Sequence, residues 1–213
     1  PPGFDGDLLV KVLAACACVV FIYINYKGTK ETGITSMIIS GILLAVIVVF
    51  IIGGAVFLSG GNGEGDVGTI FSDPMPNGWV SIFVAMGFTF IVFEGFDIIA
   101  QCGEECKNPL RNIPKATTIC VVFSTILFIL VSIICVGVVN WTEIGSTIRG
   151  DDVVAVVATR TLPYGIVIIG VGVVFGALAA VNSTLFASSR VAFAMGRDGT
   201  LPRVFGKLHQ KNS

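Results

Sequence analysis

Residues 81–105 read SIFVAMGFTFIVFEGFDIIAQCGEE, and the five residues Phe93-Glu94-Gly95-Phe96-Asp97 decide how the chain is understood. Almost everything before them is apolar, yet two carboxylates three positions apart straddle a glycine. A carboxylate at the centre of a bilayer costs about 3 kcal/mol on insertion scales, so it persists where it faces a cavity or a partner. A helix that starts at Trp79 carries Glu94 about 22 Å along its axis at 1.5 Å per residue. Asp97 lies about one turn deeper, past the midplane but inside the hydrocarbon. Gly95 is the weak point of such a helix. An opened turn there frees backbone carbonyls and amides, and places Asp97 to cap the second half-helix. Broken helices at membrane depth are tolerated where they line protein or a water-filled cavity, and in transporters they build the substrate site. The alternative is an unbroken helix whose acids are satisfied by neighbouring helices.

The rest of the sequence supports a membrane setting. Hydrophobic residues make up 54% and charged residues 13% of the 213 positions, against about 25% charged in soluble domains. The net charge of −1 offers nothing to nucleic acid. Crossing about 30 Å of hydrocarbon takes about 20 apolar helical residues, and five segments suffice: 8–26, 34–58, 79–102, 116–139 and 164–189. The expected fold class is therefore an all-α integral membrane protein, one transmembrane region over 1–213 with its third span broken near Gly95. The abrupt polar end HQKNS and the start at Pro1 read as an internal piece of a longer protein.

Sidedness follows from the basic residues. If the spans alternate, Lys27, Lys30, Lys107, Arg111, Lys115, Arg190, Arg197, Arg203, Lys207 and Lys211 share one side. Lys11, Arg149 and Arg160 share the other. The rich side is cytoplasmic, which puts Pro1 outside and Ser213 inside. Trp79 and Trp141 fall at outer span ends, where indole anchors at the interface. Glycine-rich 59–65 reads as a flexible outer loop. Gly172, Gly176, Ala180 and Thr184 form a stripe of small residues that lets another helix approach closely.

In the segment 103–116, GEECKNPLRNIPKA, Asn108-Pro109 stops one helix and Pro114 suits the first turn of the next. Glu104, Glu105, Lys107 and Arg111 are then a charged loop: either a solvated turn or a salt-bridged gate. Cys102 and Cys106 are four apart, but no histidine or second pair supports a metal; the cysteines read as small apolar residues. No phosphate-binding glycine loop is present, and the single histidine, His209, is in the last loop. No enzyme chemistry and no cofactor are expected.

The segment 95–116, GFDIIAQCGEECKNPLRNIPKA, closely resembles the sixth-helix signature of amino acid–polyamine–organocation (APC) permeases. Residues 188–205, SSRVAFAMGRDGTLPRVF, resemble the end of that family's eighth helix with its RDG-LP loop. Residues 25–33, NYKGTKETG, look like its fourth-to-fifth helix turn. The three occur in family order and spacing across essentially the whole chain, which resembles cationic-amino-acid-transporter-like members. The resemblance implies helices four to eight of about twelve, in a fold of two inverted five-helix repeats. Helices one to three, and those after the eighth, would be lacking, so this stretch alone is not expected to transport.

By the same resemblance, the unwound part of the sixth helix maps to Phe90, Ile91, Val92, Phe93, Glu94 and Gly95, whose carbonyls would bind the substrate's amino group. Phe90 and Phe93 are the candidates for an aromatic gate. Glu94 stands where the family often has a small or apolar residue, and would read a cationic side chain, couple protons or make a helix–helix hydrogen bond. Asp97, Glu104, Glu105 and Arg111 are candidates for capping and gating. Asn182 and Ser183 would line a former cation site or serve packing. The fifth-helix lysine of some proton-coupled members has no counterpart in residues 36–54, SMIISGILLAVIVVFIIGG. The sequence does not specify a proton or sodium as coupling ion, nor a partner subunit.

The expected function is secondary amino acid transport by alternating access, with an amino acid as partner and the cell membrane as location. Three other classes compete. A channel or ion-coupled transporter of another class would repeat acids around a pore, and only one span holds them. A membrane enzyme would need polar groups from several spans at one depth. A non-transporting or regulatory subunit with a transporter-like fold is distinguished only by measuring flux.

Overall fold

The computed structural model describes residues 6–65, 68, 78–93, 95–101, 103, 106–144, 148 and 150–206. Their elements are α1 (Gly6–Lys27), α2 (Thr29–Ser59), α3 (Trp79–Val92), α4 (Phe96–Gln101), α5 (Pro109–Val138), a 3₁₀ turn (Gly150–Asp152), α6 (Val153–Thr161) and α7 (Gly165–Arg197). There is no strand among the described residues, only an isolated bridge between Ile144 and Ile148. The protein is an all-α membrane protein. Val10–Lys27, Lys30–Ser59, Pro109–Val138 and Gly165–Arg197 are long and apolar enough to cross a membrane. The expected third span is the exception, being divided into α3 and α4. Hydroxyls within these helices return to the carbonyl one turn back, Thr89 to Ala85 at 2.8 Å and Thr125 to Val121 at 2.7 Å. That local bond lets a polar side chain sit in an apolar helix without an outside partner.

Two boundaries differ from expectation. The fourth spanning helix begins at Pro109 rather than near 116, because Asn108 adopts a left-handed conformation (φ 53°, ψ 60°) that turns the chain directly into the helix. Pro109 then takes the first-turn position, where no amide is needed. Pro114, expected in that role, lies inside the helix, where its ring removes the bond to the Leu110 carbonyl. The connection before α7 also contains a short helix, α6. Its Val153, Val157 and Ala158 are buried at helical spacing.

The chain divides into two compact units, Pro1–Ile42 with Val174–Ser213, and Leu43–Val173. The second unit has a continuous apolar core of Phe50 from α2, Ile134, Cys135, Val138 and Val139 from α5 and its end, and Val153, Val157 and Ala158 from α6. Close backbone approach completes it: a Cβ on Gly165 would lie 1.9 Å from the Ala158 carbonyl oxygen. Gly172, first of the small-residue stripe, is buried, and a Cβ there would come within 2.8 Å of Val46. The glycine-rich segment 59–65 is docked rather than free. Glu64 and Gly65 donate backbone N–H bonds to the Val138 and Gly137 carbonyls, and the Glu64 carboxylate pairs with Arg160.

In the first unit α1 and α2 are separated by Gly28 alone (φ 136°). Its carbonyl accepts both the backbone N–H and the hydroxyl of buried Thr32. After α7, the RDG-LP loop folds back on the helix. Thr200 and Leu201 donate to the Met195 carbonyl, with Gly199 left-handed (φ 82°), and Gly206 packs against Gly196.

Candidate functional site

The helix break lies where the sequence places it and is shorter. α3 continues through Val92, so Phe90, Ile91 and Val92 are helical rather than unwound. Phe93 ends it in a turn, its N–H shared between the Thr89 and Phe90 carbonyls. Gly95 has φ 108°, a conformation that side-chain-bearing residues rarely adopt. α4 restarts at Phe96, and the Ile98 N–H bonds the Gly95 carbonyl. Glycine permits this reversal because it has no Cβ; a Cβ built on Gly95 meets nothing within 4 Å, so strain and not crowding sets the requirement.

Asp97 stands in the first turn of α4. Its side chain, with those of Ile91 and Val92, lies outside the described residues, as do Glu94, Cys102, Glu104 and Glu105 entirely. Arg111 is exposed in the first turn of α5 and forms no ion pair with another described residue.

The two gate candidates separate. Phe90 is 72% exposed, whereas Phe93 meets Phe128 of α5 edge-on, with centroids 5.4 Å apart and planes at 89°. Such T-shaped pairs contribute about 0.5–1.5 kcal/mol beyond area burial. α4 packs against α5, and between the break and α5 lies a cavity of about 250 Å³. Phe93, Gly95, Phe96, Ile99, Val121 and Phe128 line it, with Cys120 and Ser124 adding a thiol and a hydroxyl. The α5 residues were not anticipated. Nothing in an uncharged apolar span marks which of its faces meets a break about 30 positions away.

Asn182 belongs to the other unit. It is fully buried near the middle of α7. Its Oδ1 accepts from Asn25 Nδ2 of α1 at 3.0 Å, and its Nδ2 donates to Ser36 Oγ of α2 at 2.7 Å. Asn25 Nδ2 also donates to the Phe21 carbonyl at 2.8 Å, while Asn25 Oδ1 is buried without a partner among the described residues. Ser183 beside it is half-buried. Asn182 is thus hydrogen-bonded to two other helices. An asparagine in an apolar span was the available signal, and Asn25 near the end of 8–26 carried it too, but neither that nor Ser36 told which groups would pair.

Comparison with known proteins agrees with this architecture. The family model described as "Amino acid permease" matches residues 3–213. The branched-chain amino acid permease BcaP of Bacillus subtilis (strain 168) is 30% identical over 213 residues, covering 100% of this chain and 44% of that protein. The methylthioribose transporter of the same organism is 28% identical, covering 98% of this chain and 43% of its own length. The vacuolar cationic amino acid transporter 2 of Arabidopsis thaliana is 26% identical, covering 99% and 32% respectively. The chain spans less than half the length of these curated relatives. No solved structure matches it. With a family match that runs almost from end to end and a divided helix at the expected place, the chain belongs to the amino acid permease family.

Proposed function

We propose that this chain is the part of a secondary amino acid transporter that carries one half of the substrate site, and that the complete protein works by alternating access. The observation that carries the reading is the break at 93–95 in an otherwise apolar span. Interrupted helices expose main-chain carbonyls and amides at membrane depth, and only a lined cavity tolerates them. The substrate's amino group is taken by the carbonyls around the break. The coverage of about two-fifths of each bacterial relative supports five helices of about twelve, the fourth to the eighth. The basic-residue distribution supports a cytoplasmic Ser213 end, and a plasma-membrane location goes with this reading.

Glu94 favours a cationic amino acid, because a carboxylate beside the break would face the substrate side chain. Reconstituting the complete permease in proteoliposomes tests both levels. Uptake of radiolabelled lysine, competed by neutral and acidic amino acids, is expected to be inhibited most by cationic ones. Inhibition mainly by neutral amino acids removes the role given to Glu94. No flux of any amino acid overturns the transporter reading in favour of a regulatory subunit. Glu94→Gln is expected to change substrate preference or the pH dependence of uptake; if both match wild type, Glu94 is structural.

A further inference from the structure

Along the last part of α7, aromatic and basic residues alternate on one face. Phe186, Arg190, Phe193 and Arg197 follow one another at spacings of four, three and four, which at 3.6 residues per turn keeps all of them within a narrow stripe. Each arginine lies over the ring one turn before it. Arg190 is 4.8 Å from the Phe186 ring centroid, and Arg197 is 5.9 Å from that of Phe193. A guanidinium on an aromatic face keeps its charge and its in-plane N–H donors. Phe186, Arg190 and Phe193 are half-buried, and Arg197 is exposed. The depth of the stripe follows from the length of α7. About 20 helical residues cross the hydrocarbon, so a span that starts at Gly165 leaves it near residue 184, just before the stripe begins. That is the level at which basic side chains meet anionic headgroups. The same pairing recurs on α1, which is tied to α7 through Asn25 and Asn182. There Lys27, two residues past Asn25, lies over Tyr23 at 5.1 Å. Beyond α7, the loop that folds back on Gly196 carries exposed Arg203, followed by Val204 and Phe205, both more than half exposed.

We propose that this stripe docks the headgroups of anionic phospholipids, with Arg190 and Arg197 as the phosphate donors and Phe186 and Phe193 as the platforms that hold them. The two arginines are about 10 Å apart along the axis, and each offers a planar fork that donates two parallel N–H bonds to phosphate oxygens. Charge complementarity favours an anion. Segments 23–31 and 186–206 hold five basic residues, Lys27, Lys30, Arg190, Arg197 and Arg203, against two acidic ones, Glu31 and Asp198. Asp198 lies 3.8 Å from Arg197, but both side chains are exposed, and such surface pairs hold little. The apolar exposure beside the cations selects lipid over free phosphate: Val204 and Phe205 gain from acyl chains and nothing from a dissolved anion. The occupant here is the membrane and not the substrate, so this proposal stands apart from the permease reading above.

The complete permease, reconstituted in nanodiscs of mixed phosphatidylglycerol and phosphatidylcholine, tests this by native mass spectrometry of the lipids it retains. Phosphatidylglycerol should be retained in preference. Arg190→Gln and Arg197→Gln should each lower the retained phosphatidylglycerol-to-phosphatidylcholine ratio about fivefold, the effect of one basic residue at an anionic surface. Arg190→Lys and Arg197→Lys keep the charge and should keep most of the ratio. Phe186→Leu and Phe193→Leu remove the platform but not the apolar bulk, and should lower it about twofold. Arg160→Gln removes a cation already paired with Glu64 and should leave it unchanged. The ratio is read within one preparation, so reduced folding of a variant does not imitate the effect. A ratio unchanged in both glutamine variants, or lowered as much by Arg160→Gln, overturns the site. Inorganic phosphate that strips phosphatidylglycerol at equal phosphate concentration makes it a site for free anions, and polyglutamate that does so makes it a surface for an acidic protein; either result overturns the lipid. Absence of amino acid uptake with the ratio intact overturns the permease reading alone.

Discussion

The knot at Asn182 and the break at Gly95 handle the same difficulty in opposite ways. Each places polar groups within apolar helices. At Asn182 the side chain is fully buried and bonded to Asn25 and Ser36, so three helices are tied by hydrogen bonds across 157 and 146 positions. At Gly95 the main chain itself is opened, and the space beside it is an apolar cavity. Interhelical hydrogen bonds in membranes are individually modest, about 0.6 kcal/mol on average and at most about 1.7. A shared knot nonetheless fixes the helices in register, because separating them strands donors and acceptors in hydrocarbon. Among the described residues, the break has one left-handed glycine and one edge-on ring pair beside the packing of α4 on α5, with no side-chain hydrogen bond to another helix. On the function proposed above, the contrast separates a region built to hold from a region built to bind.

The strongest way to break this comparison is Gly95→Val. A β-branched residue at φ 108° costs about 1–3 kcal/mol of backbone strain, and relief requires the turn to change. Uptake by the complete permease should fall about tenfold or more, with a lower melting temperature in detergent. Unchanged uptake would mean that the break is not the working part of the site. Next is Asn182→Leu, which removes two bonds at once, leaving Asn25 Nδ2 only its bond to the Phe21 carbonyl and taking from Ser36 Oγ its Asn182 donor. A loss of about 1–2 kcal/mol is expected in thermal or denaturant unfolding, with the preference among competing amino acids unaltered. A shift in preference would place the knot in the site and erase the distinction drawn above. Phe128→Ala should cost about 0.5–1.5 kcal/mol through the lost ring pair with Phe93, read in the same unfolding assay. The smallest effect is the coupling between Ser36→Ala and Asn182→Ala in a double-mutant cycle, expected near 0.6 kcal/mol. Zero coupling would show that the 2.7 Å bond holds nothing.

Which parts of this were legible in the sequence follows from how far each cause reaches along the chain. The apolar spans and the break are local properties. A run of valine, isoleucine and phenylalanine makes a membrane helix wherever it occurs, and Gly95 between two acids weakens its own helix. The same logic failed at Pro114. Two prolines five positions apart compete for one first-turn role, and the left-handed Asn108 settled it for Pro109. It failed again at 59–65, where glycine richness suggested mobility. Gly63 and Gly65 serve close approach instead: a Cβ on Gly65 would lie 1.9 Å from the Val136 carbonyl oxygen.

The sequence by itself determined the class of the protein, the place of the break and the permease resemblance, because hydropathy, a glycine in a helix and a contiguous motif need no distant partner. Only the tertiary structure decided that Asn182 bonds Asn25 and Ser36, that Phe93 and not Phe90 is packed, and that α5 supplies the far wall of the cavity. Beyond Lys115, α5 has no charged residue and carries no clear periodic sign of its inner face. Which side meets a neighbour is set by helix packing, where residues far apart in the chain compete for the same space.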